Sequence, residues 1–372
     1  MARNSYRAAI IGRTGQGDYG HSLDTVFHGM ETVAVVAVSD PDPIGRAECA
    51  ARTGAREQFA EYGEMLAKVK PDLVSIAPRW IDGHREMVLA CAAAGVKGIF
   101  CEKPFARTLA EADEMLAACG KSRTRLAVAH QNRTIPYLDQ VKKLVKNGAI
   151  GKLRRIRGKG KDDARGGALD LIVLGTHVLD MMRAVAGDPL WAFGHVRQED
   201  REISRADLHE GAEQVGPIAG NNLTGYYAFP EGVAGTFESY AGRGNGRFMG
   251  LWLEGTEGTI TLHGGFVKQA WICRTPQWTP ELGPGVWEQL HLPEWDNHPG
   301  GRPRSGSELL QLANQALVQG LVRCIENGDA HPSSGEDARW AMEMYFALPE
   351  SQRTKARVTF PLRNRQNPWS ML

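Results

Sequence analysis

The first 130 residues alternate short apolar runs with segments of helical periodicity. Five runs are nearly continuous in Val, Ile, Leu and Ala, as in strands covered on both faces: RAAIIG, TVAVVAVSD, DLVSIAP, KGIFCEKP and RLAVAHQN. Between them, HREMVLACAAAG and TLAEADEMLAACG predict helices that end at Gly95 and Gly120. Thr108 and Glu111 form a capping-box pattern at the start of the second helix. This alternation predicts a parallel, doubly wound sheet.

After residue 130 the pattern changes. IPYLDQVKKLVKNGAIG predicts an amphipathic helix, KLRRIRGKGK a strand, and ALDLIVLGTHVLDMMRAVAG a long apolar helix that contains Gly175. From about residue 190 to 295, two-residue alternation broken by Pro-Glu-Gly and Glu-Gly turns predicts an antiparallel sheet. Two further helices and a last strand, ARVTFPL, follow. We predict an α/β chain with a Rossmann-type domain over 1–128 and an α+β domain over 129–372.

Length and composition agree with two domains and argue against several partners. The chain has 372 residues, 42% hydrophobic and 23% charged, which is ordinary for a globular protein. A net charge of +1 creates no global field for nucleic acid or a membrane surface. No apolar run reaches the roughly 20 residues of a membrane helix. The absence of a signal-peptide pattern and six scattered cysteines predict a cytoplasmic protein with reduced thiols and no metal site.

Four glycines follow the first predicted strand in IIGRTGQGDYG. A dinucleotide-binding turn reads G-x-G-x-x-G directly after a strand, and Gly12 has that position, but the literal motif begins at Gly15. We interpret the stretch as a nucleotide loop with a short insertion, followed by a helix whose N-terminus faces the phosphates. Asp18 should then point away from them. The alternative is a flexible turn without a ligand. The cofactor-binding candidates here are Gly12, Thr14, Gly15, Gly17 and Gly20.

The second predicted strand supports the nucleotide interpretation. It ends at Asp40, twenty residues past Gly20, where an acid meets the adenosine ribose hydroxyls in dinucleotide-binding folds. Asp40 and Asp42 would repel a 2′-phosphate, and the nearest following arginine, Arg46, lies beyond two prolines. We therefore predict NAD rather than NADP as the cofactor.

The sequence CEKP at 101–104 ends another apolar strand. It places Glu102 and Lys103 at the carboxyl end of a parallel strand, where ligands bind in such sheets. The following Pro104 restricts the backbone of Lys103. An exposed surface pair is the alternative interpretation.

Several motifs together resemble the glucose–fructose oxidoreductase and inositol dehydrogenase (Gfo/Idh/MocA) family. They are IAP followed by His84, AGVKGIFCEKP, VKNGAIG, GTHVLD and SGEDARWAMEM. The resemblance covers most of residues 7–190 and 333–362 and is thin from 190 to 300. It implies an NAD-dependent oxidoreductase, with Lys103 beside the reacting carbinol and the nicotinamide. It also implies cofactor contacts from Pro78, His84 and Glu102.

The family's second signature is an Asp followed four residues later by a His. His177 matches the histidine, but Val173 occupies the position of the acid. Asp170 and Asp180 lie seven residues before and three residues after His177, which places both near the same helical face. We predict Lys103, His177, Asp170 and Asp180 as the catalytic set, with Asp180 in a supporting role. The alternative for His177 is a histidine packed in the helix without a catalytic role. The alternative for Asp180 is an ordinary helix acid, which could pair with Arg183.

Other polar segments offer weaker candidates. The basic segment 152–165 indicates a solvated strand face or, less strongly, a site for an anionic substrate. HQNR at 130–133 ends a strand at the ligand-binding edge, and DNHPGGRPR at 296–304 is a loop that could reach a pocket. Eight of nine tryptophans follow residue 190, and they suit a sugar face or, preferably, a homo-oligomer interface of a dimer or tetramer. The substrate-binding candidates are Arg133, Asp163 and His298.

We hypothesise that the protein oxidises a secondary hydroxyl of a small sugar, glycoside or cyclitol, with Lys103 and His177 handling the proton. A redox-assisted glycoside-cleaving enzyme that recycles its NAD is the first alternative. A non-catalytic sugar or nucleotide sensor is the second. The presence of Lys103 and His177 argues against a sensor, whereas Val173 argues weakly for it.

Overall fold

The computed structural model describes residues 6–242, 249–264, 269–276, 283 and 286–372. The chain divides into two compact units. Unit 1 comprises Met1–Gln131, Glu213–Val215 and Leu310–Arg339, and unit 2 comprises Asn132–Ala212, Gly216–Leu309 and Trp340–Leu372.

Unit 1 is built on a six-stranded parallel sheet in the order β3-β2-β1-β4-β5-β6. The sheet interior is apolar because helices cover both faces, and Ile10, Val74 and Ile99 have no exposed surface. The predicted doubly wound fold is confirmed; β3, α1 and α2 were not among the predicted elements, and α4 continues to Ser122, past its predicted end at Gly120. The strands are β1 Tyr6–Ile11, β2 Val33–Ser39, β3 Glu57–Phe59, β4 Leu73–Ile76, β5 Gly98–Cys101 and β6 Arg125–Val128. The helices are α1 Pro43–Thr53, α2 Tyr62–Val69, α3 His84–Ala93, α4 Leu109–Ser122 and, from Leu310 onward, α9 Gly306–Asn327.

The prediction of an α-helix directly after the glycine loop was wrong. Residues 12–32, all of them described, hold a single 3₁₀ turn, Gly20–Ser22, and no α-helix. His21 and Ser22 have φ of 46° and 62°, in the left-handed region that breaks a right-handed helix. The backbone carbonyls of this segment bond instead to amide side chains of α9: Gln311 to Thr25 at 2.7 Å, Asn314 to His21 at 2.8 Å and Gln315 to His28 at 2.6 Å.

Unit 2 contains a sheet whose described strands number ten, in the order β17-β16-β15-β14-β7-β13-β12-β8-β18, with β9 paired to β8. Every pairing is antiparallel except β7 with β13, which confirms the predicted mostly antiparallel sheet. The strands are β7 Leu153–Lys159, β8 Trp191–Gln198, β9 Arg201–Glu202, β12 Asn222–Ala228, β13 Ala234–Tyr240, β14 Gly250–Gly255, β15 Thr259–His263, β16 Ala270–Cys273, β17 Trp287–Leu290 and β18 Val358–Thr359. A separate antiparallel pair is formed by β10 His209–Gly211 and β11 Gly216–Ile218.

The helices of unit 2 include the long apolar helix predicted around Gly175. It consists of α6 Ala168–Asp170, a π-helical turn Leu171–Gly175 and α7 Thr176–Ala186. A Cβ at Gly175 would lie 2.8 Å from the Phe237 ring, so the π turn passes against β13 where only glycine fits. The remaining α-helices are α5 Pro136–Lys146, α8 Pro293–Asp296 and, from Trp340 onward, α10 Gly335–Thr354.

Two further features concern the surface and the thiols. In β8, buried and outward residues alternate, and Phe193 and its register partner Tyr226 on β12 are 47% and 37% exposed.

All six cysteines, each within the described ranges, are free and buried, as predicted. Among the described helices, none is long and apolar enough to cross a membrane.

Candidate active site

The insertion in the glycine loop is a tight turn closed by its own backbone. The Arg13 carbonyl accepts hydrogen bonds from the amides of Gln16 and Asp18 at 2.9 and 3.0 Å. The Asp18 carboxylate accepts from the Gly15 amide at 2.8 Å, so it turns into the loop and not away from it, in contrast to our expectation. Apart from its chain neighbours, no atom lies within 4 Å of a Cβ built on Gly15. The Cα of Gly15 therefore faces open space, whereas its amide is bonded to Asp18.

The other loop glycines are required by contacts within unit 1. A Cβ on Gly17 would lie 2.4 Å from the Trp80 amide nitrogen, and one on Gly12 would lie 2.2 Å from the Tyr19 ring. A Cβ on Gly20 would lie 2.5 Å from the side chain of Arg79. The Gly20 amide donates to the Ala77 carbonyl at 2.7 Å, and the Arg79 amide donates to the Gly17 carbonyl at 3.1 Å. The loop thus lies on the segment that follows β4.

Asp40, at the end of β2, is completely buried beneath this loop. Its carboxylate accepts from the Thr14 amide at 3.1 Å, from the Thr14 hydroxyl at 2.7 Å and from the Asp42 amide at 3.0 Å. Asp42 itself caps α1 by accepting from the Gly45 amide at 2.7 Å. The Arg46 guanidinium reaches back to donate to the Asp40 carbonyl at 2.6 Å, so the two prolines do not keep it away. Asp40 therefore braces the loop through Thr14.

A cavity of about 290 Å³ opens at the carboxyl ends of β1 and β2. This volume is just below the usual range for ligand pockets, about 300–1,000 Å³. Its position is where dinucleotides bind in sheets of this strand order. The carboxylates of Glu61, Asp82 and Glu86 line this cavity, and that of Asp82 is bonded to Arg13 at 2.9 Å. Their negative charges would repel a 2′-phosphate. The lining consists of Gly12, Arg13, Ser39, Pro41, Glu61, Tyr62, Asp82, Gly83, Glu86 and Met87.

Glu102 and Lys103 are not a surface pair, because their exposed fractions are 0% and 3%. Glu102 Oε1 accepts a hydrogen bond from Nδ1 of His21. Burial by itself raises the pKa of Glu102, but the charges of His21 and Lys103 and their hydrogen bonds more than offset it and lower the pKa. Oε2 of Glu102 is buried and has no hydrogen-bond partner among the described residues. A buried acceptor of this kind, beside an open glycine loop, fits a nicotinamide cofactor.

His84, predicted to contact the cofactor, is completely buried. Its Nε2 lies 2.8 Å from the carbonyl oxygen of Pro78, and its Nδ1 lies 3.2 Å from the carbonyl oxygen of Phe105. The ring therefore links the segment after β4 to the segment after the Glu-Lys-Pro turn. His21 was not predicted as a site residue, because its only signal in the sequence is its place directly after the last loop glycine.

In unit 2, His177 is the second residue of α7 and is 8% exposed. Asp180, one turn later, accepts two hydrogen bonds from Arg133, at 2.6 and 2.7 Å. Arg183, which we had considered as its partner, bonds to Asp188 at 2.6 Å. The supporting arginine is thus a residue that we had placed in the substrate site.

Asp170 lies directly before the π turn, and its carboxylate is hydrogen-bonded to a residue of the unit 2 sheet. Its Oδ2 accepts from the Ser239 hydroxyl at 2.5 Å and from the Lys161 amide at 2.9 Å. Burial raises its pKa, partly offset by these hydrogen bonds. Ser239 had no sequence signal, since it is one serine in an alternating strand.

The two remaining substrate candidates have local partners. Asp163 is bonded to Arg165 at 2.5 and 3.0 Å, and this arginine lowers the pKa of the carboxyl. His298 Nε2 lies 3.0 Å from Glu308 Oε1. The roles of Arg133, Asp163 and His298 toward a substrate stay predictions.

The strand order of unit 1, the loop of glycines after β1 and the buried acid after β2 define a dinucleotide-binding domain. Residues 6–130 match the family described as "Oxidoreductase family, NAD-binding Rossmann fold". This match places the dinucleotide-binding domain over residues 6–130 in the Gfo/Idh/MocA family, and the chain is an NAD-dependent oxidoreductase that acts on CH–OH groups.

Curated relatives are similar to this chain in sequence, and a solved structure shares its fold. D-Apiose dehydrogenase of Paraburkholderia graminis is 26% identical over 349 residues, which span 89% of this chain and 84% of the relative. Myo-inositol 2-dehydrogenase of Thermotoga maritima is 28% identical over 209 residues, spanning 53% of this chain and 61% of the relative. A structure of levoglucosan dehydrogenase with NADH and levoglucosan has a TM-score of 0.73 and 20% identity, covering 96% of this chain and 100% of that one.

Proposed function

We propose that this oxidoreductase oxidises a secondary hydroxyl of a sugar, glycoside or cyclitol, and that Lys103 and His177 handle the hydroxyl proton. The observation that carries the proposal is Lys103, buried at the carboxyl end of β5 next to the buried Glu102. Relatives named for D-apiose and myo-inositol support the substrate class. Bound NAD supplies the hydride acceptor.

Oxidation of a carbinol also releases a proton, which a side chain must receive. Lys103 holds or passes this proton at Nζ, while Glu102 balances the lysine charge. His177 serves as the second proton-handling group or as the hydrogen-bond partner of the substrate hydroxyl. Asp180 keeps Arg133 in place, and Asp170 supports the start of the helix that carries His177.

The residues that hold NAD are the loop and strand-end groups of unit 1. The Cα of Gly15 is approachable, and Glu102 Oε2 is an unused buried acceptor. Asp40 acts on the cofactor through Thr14, whose amide and hydroxyl it binds. His84, through its contacts with the carbonyls of Pro78 and Phe105, holds in place the backbone segments next to the cofactor.

The test is NADH absorbance with a panel of sugars, glycosides and cyclitols. At least one should give NADH, and Lys103→Ala should lower its rate about 10²–10⁴-fold, because a positioned acid–base is lost. Lys121→Ala, an exposed lysine on α4, is the control and should keep full activity. Glycoside cleavage without net NADH would favour the redox-assisted alternative. Binding of NAD and sugar without any turnover would favour a sensor.

We also propose that the exposed face of the unit 2 sheet joins copies of this chain into a homo-oligomer. Leu190, Phe193 and Tyr226 are 55%, 47% and 37% exposed, and the last two are adjacent in register. Contiguous exposed apolar surface on a folded chain marks an interaction site. The outward tryptophans Trp191 and Trp252 lie on the same sheet.

A further inference from the structure

His21 contacts the Glu-Lys-Pro turn from the far end of the glycine loop. Its Nδ1 donates to Glu102 Oε1, and the side chain of Glu102 has no exposed surface. The second carboxylate oxygen, Oε2, is buried and has no partner among the described residues. Glu102 is thus held by one oxygen, and the other is available to a ligand.

The backbone around His21 is held in an unfavourable conformation. His21 and Ser22 are consecutive residues with positive φ, 46° and 62°. Such backbone persists only where the surroundings impose it, and it is concentrated at functional sites. With this backbone conformation the imidazole lies within hydrogen-bonding reach of Glu102.

Two neighbours impose this conformation. Asn314, completely buried on α9, donates from Nδ2 to the His21 carbonyl at 2.8 Å. On the other side, the Gly20 amide donates to the Ala77 carbonyl at 2.7 Å. A Cβ on Gly20 would lie 3.0 Å from Glu102 Oε1, so glycine leaves room for the carboxylate.

We propose that His21 is a positioning residue that holds Glu102 by Oε1 and so keeps Oε2 available to the cofactor. By holding Glu102, it also fixes the position of the turn that carries Lys103. Against the effect of burial, His21 and Lys103 both lower the pKa of this carboxylate. Without His21, Lys103 would be drawn to Glu102 and would be less able to exchange a proton with a substrate. Only this last step rests on the proposed function.

The test compares two replacements that both tolerate left-handed backbone. His21→Asn keeps a side-chain N–H near the position of Nδ1, whereas His21→Gly keeps the backbone and removes the donor. We expect His21→Gly to raise the NAD+ dissociation constant about tenfold by calorimetry, the usual effect of losing a hydrogen bond to a charged group. His21→Asn should stay within about threefold of wild type. His28→Ala, exposed on the same segment, is the control and should not change the affinity.

A cycle with Glu102→Gln tests whether His21 acts through Glu102. If it does, His21→Gly should weaken NAD+ binding far less in the Glu102→Gln background than in wild type. Equal weakening in both backgrounds, or the same loss for His21→Asn and His21→Gly, would overturn the proposal. Unchanged NAD+ affinity in His21→Gly would also overturn it.

Turnover separates this proposal from the proposed function. On a substrate found in the panel, His21→Gly should lower kcat at saturating NAD+, and His21→Asn should restore most of it. An effect on the melting temperature alone, with kcat and NAD+ affinity unchanged, would show a merely structural residue. If no substrate gives NADH, the proposed function fails, while the calorimetric comparison still decides the role of His21.

Discussion

At the scale of single residues, carboxylates shape the loop after β1 as much as its glycines do. Asp40 binds the amide and hydroxyl of Thr14, and Asp18 binds the amide of Gly15. These acceptors satisfy N–H groups that would otherwise be unpaired in a tight turn. The position of Arg46 on the Asp40 carbonyl adds a cation to the end of β2.

We expect Asp40→Ala to weaken NAD+ binding about tenfold, because Thr14 loses a charged acceptor. NADP+ binding should weaken less or improve, since a negative charge is removed and Arg46 can attract a 2′-phosphate. Titration calorimetry with both cofactors measures this difference. Adding Arg46→Met should reverse any gain for NADP+. Equal losses for the two cofactors would exclude Asp40 from their discrimination.

Asp170 should make stability depend on pH in the acid range. Burial raises its pKa above the ordinary 3.8, so the folded chain keeps this proton to higher pH than the unfolded chain. The resulting stability is present below pH 3.8 and is lost as pH rises through the folded pKa, with a slope of at most about 1.4 kcal/mol per pH unit.

The Asp170→Asn variant has no carboxyl to ionise at this position, so it should not lose stability as pH rises. Its free energy of unfolding relative to wild type should therefore increase between pH 3.8 and the folded pKa of Asp170. Urea unfolding of both proteins at several acid pH values measures the difference. A difference that does not vary with pH would contradict the assignment.

At the scale of elements, apolar runs located the parallel strands because a strand buried on both faces has no polar positions. The helix expected over residues 20–32 rested instead on the glycine-loop motif, and the structure has no α-helix there. There the missing helix depends on Gln311, Asn314 and Gln315, almost three hundred residues away in the chain, which bond the carbonyls of the segment. A short local motif carries no information about such long-range partners.

The ion pair between Arg133 and Asp180 joins the turn before α5 to α7. The side chains are 13% and 1% exposed. Breaking a buried pair leaves an uncompensated charge, so Asp180→Asn should lower the free energy of unfolding by about 3–5 kcal/mol. Asp188→Asn removes a carboxylate that is 53% exposed from Arg183 and should cost at most about 1 kcal/mol.

Chemical unfolding of Arg133→Met, Asp180→Asn and the double variant measures this coupling. The double variant should lose less than the sum of the two single changes. If Asp180→Asn instead lowered kcat by orders of magnitude at unchanged stability, Asp180 would be the working partner of His177.

At the scale of the whole molecule, the exposed face of the unit 2 sheet predicts self-association. Replacing Phe193 and Tyr226 together with Glu should give a monomer, because charges would be buried at the interface. Light scattering after size exclusion measures the mass, and circular dichroism checks the fold. Ile44→Glu changes an apolar residue of unit 1 that is 69% exposed and should leave the mass unchanged. A monomeric wild type would refute the interface.

The sequence by itself determined the α/β class, the parallel sheet of unit 1, the mostly antiparallel sheet of unit 2 and the positions of Glu102, Lys103 and His177 on their elements. These follow from local periodicity and short motifs, which are properties of neighbouring residues. Only the tertiary structure decided that Asp180 pairs with Arg133, that Asp170 pairs with Ser239 and that His21 holds Glu102. Each of these partners is distant in sequence, and burial, not spacing, makes the hydrogen bond between them obligatory.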